Sequence, residues 1–156
     1  MVTVESLPEQ TPLTCIMPIK SEADYQALAA LLPQAKPQID AALTAIGTVH
    51  FARFVFLSNN TELAIITTFD GDFAKYIGDF ATYIGPIFDA LFAHITNPPP
   101  LPVLKNQAEF VAWVQAHNAV TAGFYSAYPT LKVMDILTQI PPVASRSPVV
   151  PNPAGT

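Results

Sequence analysis

VHFARFVFL at Val49–Leu57 and ELAIITTF at Glu62–Phe69 carry the signal that decides the fold. Both runs are rich in β-branched and aromatic residues, which favour a pleated strand. Ser58, Asn59 and Asn60 form a turn between them, and the short connection makes the pair a β-hairpin. Side chains alternate across a strand, so Leu63, Ile65, Thr67 and Phe69 share one face while Ala64, Ile66, Thr68 and Asp70 share the other. In the first run, Phe51, Arg53, Val55 and Leu57 oppose His50, Ala52, Phe54 and Phe56. Both faces of this sheet are mostly apolar, as in sheets covered twice.

Upstream, LTCIMPI at 13–19 reads as a first strand, and Ser21 caps the helix that follows, with Asp24 near its positive end. Pro33 and Pro37 predict two helical pieces, the second ending at Gly47. Downstream, Asp72 caps a long helix over 73–95. Its apolar residues recur at spacings of three and four, and Gly85 and Pro86 predict a kink. Asn106 and Glu109 resemble a capping box before a short helix that ends near His117. GFYSAY at 123–128 reads as a last strand, and 131–137 as a final helical turn. The order is that of an α+β, ferredoxin-like βαββαβ unit with an antiparallel sheet, an extra short helix and a Pro-rich C-terminal tail. Residues 1–12 form an N-terminal extension, 13–140 the domain and 141–156 a flexible tail.

Hydrophobic residues make up 51% of the 156 and charged residues 12%, about half the usual charged share of roughly 25%. Each large apolar side chain contributes about 1.5–3 kcal/mol when buried, so a bare second sheet face forfeits several kcal/mol. A second sheet from a two-fold homodimer, or an apolar ligand between the sheets, removes that loss. Net charge is −5 and the seven cations are scattered, so no stripe exists for nucleic acid. No apolar run approaches the roughly 18 residues of a membrane span. Cys15 is the only cysteine and residues 1–12 lack the apolar region of a signal peptide, which suits a cytoplasmic protein.

GTVHFARF at 47–54, followed by TFDGD at 68–72, is similar to a set of uncharacterised microbial proteins that share this HFARF-then-FDGD pattern. These resemble the ferredoxin-like, dimeric α/β-barrel superfamily, which also holds dye-decolorising peroxidases, chlorite dismutase-like proteins and small antibiotic-biosynthesis-type monooxygenases. The similarity spans 13–128. It implies a homodimer, with either a small ligand or haem as its cargo. Residues 67–71 supply the Asp-Gly of the peroxidase haem signature without its first glycine.

Four residues are candidate ligand contacts: Arg53, His50, Asp70 and Tyr125. Arg53 sits mid-strand among aromatic neighbours; a buried guanidinium needs a partner, either Asp70 as a structural ion pair or a ligand carboxylate. His50 faces away from Arg53 unless a bulge intervenes, and serves as a hydrogen-bonded sheet-end residue, a general base or a haem ligand. Tyr125, in the last strand, packs a ring or orients a ligand through its hydroxyl. Cys15 reads as a buried small hydrophobe. No histidine pair has metal-site spacing, and no phosphate loop or nucleophile elbow occurs. Three functions fit: a binding protein for a small hydrophobic or carboxylate ligand, an oxidoreductase that is haem-dependent or cofactor-free, and a structural partner.

Overall fold

The computed structural model describes residues 9–140; the tail at 141–156 and residues 1–8 of the N-terminal extension lie outside them. The chain runs β1 (Gln10–Pro18), α1 (Glu22–Ile46), β2 (Val49–Leu57), β3 (Glu62–Asp70), α2 (Phe73–Phe92), a 3-10 turn (Val103–Lys105), α3 (Gln107–His117) and α4 (Val133–Thr138). It is an α+β fold whose described sheet has three antiparallel strands in the order β1-β3-β2.

The hairpin forms where expected. Ser58, Asn59 and Asn60 all take positive φ, a region that Asn tolerates better than most residues. Ser21 accepts a hydrogen bond from the Asp24 amide, Gly47 ends α1 at φ 73°, and Asp72 caps α2 through the Lys75 amide. The kink in α2 falls at Ile84, just before Gly85 and Pro86. Asn106, by contrast, makes no side-chain cap.

One helix, not two, spans 22–46. Pro33 and Pro37 both lie on its exposed side, one turn apart. Each removes a single N–H, so the helix loses the donors for the Ala29 and Pro33 carbonyls without losing its packed face.

The register sorts the sheet into two faces. Leu13, Cys15 and Met17 align with Thr67, Ile65 and Leu63, and these with Ala52, Phe54 and Phe56. This face is buried under α1, α2 and α3: Leu28, Tyr76, Ile77, Phe80, Phe92 and Phe110 join it in one core. Thr67, its one polar member in β3, is satisfied by the Tyr76 hydroxyl at 2.8 Å. The other face carries Thr14 and Ile16 on β1, Ala64, Ile66 and Thr68 on β3, and Phe51, Arg53 and Val55 on β2. Here Phe51 is 78% exposed, Arg53 is exposed, and Ile16, Val55 and Ile66 are only half-buried.

The expected last strand at 123–128 does not form; the segment is irregular and almost wholly exposed. The cause lies in β1. Thr14 presents its backbone to the outer edge, where its N–H donates to Asn118 Oδ1 and its carbonyl accepts from the Ala119 amide. Pro12 and Pro18 share that edge by alternation and have no N–H to offer. Two gaps in the row of donors leave room for a single bridge, Cys15 to Asn118. The chain then runs on outside the sheet and returns at Gln10.

Cys15 is 3% exposed on the helix-covered face. Burial pushes its thiol up to about 12. At pH 8 only about one thiol in ten thousand is then ionised, against roughly one in four for a free cysteine near 8.5. Labelling by a maleimide or disulfide reagent at pH 8 is expected to be at least a thousandfold slower in the folded protein than in denaturant. Labelling at the free-thiol rate would contradict the placement of β1.

Candidate functional site

Two places on the molecule hold the candidate chemistry. The first is a polar clasp at one end of the open face. A bulge between Val49 and Phe51 shifts the register of β2 and brings His50 beside Asp70. His50 Nε2 and Asp70 Oδ1 lie 2.7 Å apart, with the two side chains only 7% and 4% exposed. Asp70 Oδ2 accepts the Val133 amide at 2.7 Å, so one carboxylate holds both a ring and the first turn of α4. Gln10, paired with Asp70 across the strands, extends the clasp. Its Nε2 donates to the carbonyls of Tyr128 and Leu131, and its Oε1 accepts from Ser126.

This arrangement corrects the reading of Arg53. Asp70 is paired with His50, and Arg53 forms no ion pair among the described residues. The register sets Arg53 opposite Ile66, four residues along β3 from Asp70, which is about 13 Å at the usual strand rise. At the edge of a three-stranded sheet the guanidinium reaches water, so it needs no partner. Tyr125 is also displaced: with no strand to hold it, its ring is 87% exposed and meets none of the other three candidates. His50 and Asp70 are therefore the only two of the four that the fold brings together. The bulge that unites them leaves no mark in the alternation of VHFARFVFL.

The second place is a cleft of about 490 Å³ between α1 and the edge strand β2. Leu32, Ile39 and Leu43 form its helical wall, and Ala52, Phe54 and Phe56 its sheet wall. Lys36, Asp40 and Arg53 supply the charge that borders it. Lys36 and Asp40 are paired with each other one turn apart on α1, which leaves Arg53 as the cation at the cleft that has no ion-pair partner among the described residues. Ala29 and Pro33, whose carbonyls lost their helical donors to the prolines, also line it. The volume lies within the range of about 300–1,000 Å³ typical of small-molecule sites.

The cleft offers no ligand for haem iron. No residue lining the cleft carries an imidazole, thiolate, thioether or phenol, which are the groups that hold haem iron. The Nε2 of His50 is already engaged by Asp70 in a buried pair. His94 bonds Asp24 at 2.8 Å, and His117 bonds the Trp113 carbonyl while stacking on its ring. The Ser21 hydroxyl, then His94, holds the Asp24 carboxyl below its ordinary range. Among the described residues no three His, Cys, Asp or Glu side chains gather to hold a metal, and no helix is long and apolar enough to cross a membrane.

Comparison with family models, with curated proteins and with solved structures finds no match to this chain.

Proposed function

We propose that this is a homodimeric binding protein for a small apolar molecule bearing a carboxylate. The observation that carries the reading is the cleft between α1 and β2, apolar on both walls and bordered by Arg53. An apolar body gains by leaving water between Leu32, Ile39, Phe54 and Phe56, and a carboxylate at the rim meets the guanidinium in a charge-assisted hydrogen bond. The polar clasp has the opposite character. Asp70 spends both oxygens within the protein, which suits it to holding structure rather than a ligand.

The half-exposed face with Ile16, Ile66, Val55 and Phe51 supports the dimer, since a second copy offers a matching sheet. The ferredoxin-like βαββαβ assignment belongs to the same proposal. In it, the segment from Asn118 to Tyr128 takes the place of the fourth strand beside β1, tied at Thr14 and at Gln10.

Titration with the fluorescent fatty acid 11-(dansylamino)undecanoic acid tests the ligand. The wild type is expected to bind it, and Arg53→Ala to bind it about 10–100-fold more weakly, the equivalent of one hydrogen bond to a charged group at roughly 1.5–3 kcal/mol. Arg53→Ala is expected to melt within about 0.5 kcal/mol of the wild type, as an exposed substitution does. No binding by the wild type, or equal binding by the variant, would remove the carboxylate from the proposal.

A further inference from the structure

Residues 119–140 contain not one buried side chain, and α4 among them buries nothing. What holds this stretch is polar: the bonds from Gln10 and Asp70, and the Glu9 amide on the Pro129 carbonyl. Leu131, Val133 and Ile136 are half-buried, but the rest of its large apolar side chains are exposed. Val120 is 96% exposed, and Phe124, Tyr125, Tyr128, Leu137 and Ile140 are exposed as well. A segment tied chiefly by polar bonds, with most of its large apolar side chains exposed, has the form of an arm made to lie against another surface.

We infer that this arm is part of the interface with a second copy of the chain, extending the open sheet face into one continuous docking surface. The inference rests on the dimer in the proposed function. Gln10 and Asp70, which tie the arm, belong to the same face as Ile66 and Thr68, so arm and face adjoin. Area argues for joining them. Three strands of nine residues cover only about 400 Å² at ordinary strand spacing and rise, whereas a stable interface buries about 800 Å² on each partner. The face alone falls short by about half, and the exposed apolar side chains of the arm extend it.

Charge argues for a second copy as the occupant. The chain as a whole carries −5, but this surface is nearly balanced. Arg53 and Lys132 stand against Glu9, Glu62 and Asp135, and Asp70 is spent on His50, which leaves a net of about −1. A surface this close to neutral can meet itself across a two-fold axis with little like-charge repulsion.

Light scattering of the full chain from about 1 to 100 µM, the range in which a micromolar dimer dissociates, tests this with two variants. Tyr125→Ser/Leu137→Ser alters the arm and Phe51→Asp the sheet face; all three residues are exposed, so neither change threatens folding. The expected result is a wild-type dimer that both variants weaken at least tenfold, with unchanged far-ultraviolet circular dichroism. A dimer that Phe51→Asp breaks and the arm variant does not would overturn the arm and leave the dimer standing. A wild type that stays monomeric throughout would overturn both. So would a monomer that dimerises only when residues 141–156 are deleted, since the tail would then be the occupant.

Discussion

Asp70→Ala is expected to lower stability by about 3 kcal/mol, because it orphans two groups that folding has taken out of water. The His50 ring loses its partner inside a pair that is nearly closed to solvent, and the Val133 amide loses the acceptor that starts α4. An unsatisfied buried polar group costs about 1–3 kcal/mol, and two arise at once. For a chain of this length the loss corresponds to roughly 6–12 °C in melting temperature. Asp70→Asn keeps an acceptor in place and is expected to lose about half as much, in line with the gap between a charged and a neutral hydrogen bond. The arm should respond first, since a six-residue helix with no buried side chain has no stability of its own. Amide exchange at 131–138 should therefore rise well before the sheet loosens. A melting temperature within about 1 °C of the wild type, with unchanged protection of the Val133 amide, would refute the clasp.

The contrast with Arg53 shows which parts of the site could be read from residues alone. The hairpin, the Ser21 and Asp72 caps, the Gly47 stop and the α2 kink all follow from local chemistry and are present, whereas the Asn106 cap is not. Alternation also identifies a sheet with hydrocarbon on both sides. What local chemistry could not supply was a partner for Asp70. That choice depends on a one-residue bulge at His50, which reverses the side the imidazole takes. Arg53 looked buried because its sequence neighbours are aromatic, but β2 is an edge strand of the described sheet, and on the open face Phe51 is exposed and Val55 only half-buried. The missing fourth strand had a visible cue: Pro12 and Pro18 are even-numbered like Thr14 and so interrupt the same edge of β1. Composition made GFYSAY strand-like, while pairing depends on the strand it must join. The α1 prolines were overruled in the other direction, because they stand on the solvent side, where a lost N–H breaks no packing.

Phe92→Ala carries the other large effect, about 3–5 kcal/mol, the usual range for removing a buried aromatic ring. Phe92 is 1% exposed and touches three aromatic neighbours: Phe88 at 5.7 Å, Phe110 at 5.7 Å and Trp113 at 5.1 Å between ring centres. It is thus the joint between the end of α2 and the face of α3. The cavity left by its ring can close only if α3 moves inward, and α3 is restrained at its far end. Its last turn delivers Asn118 and Ala119 to Thr14 on β1, and Trp113 donates to the Asn97 carbonyl. The cost should therefore sit near the top of the range, and Phe92→Leu, which refills most of the volume, should lose well under half as much. Trp113 is the only tryptophan of the chain, so its emission reports the joint directly. In Phe92→Ala it is expected to shift to the red, together with a lower urea midpoint. An unshifted emission and midpoint would mean that α2 and α3 do not meet through Phe92, and that β1 is bridged at Thr14 by a chain held some other way.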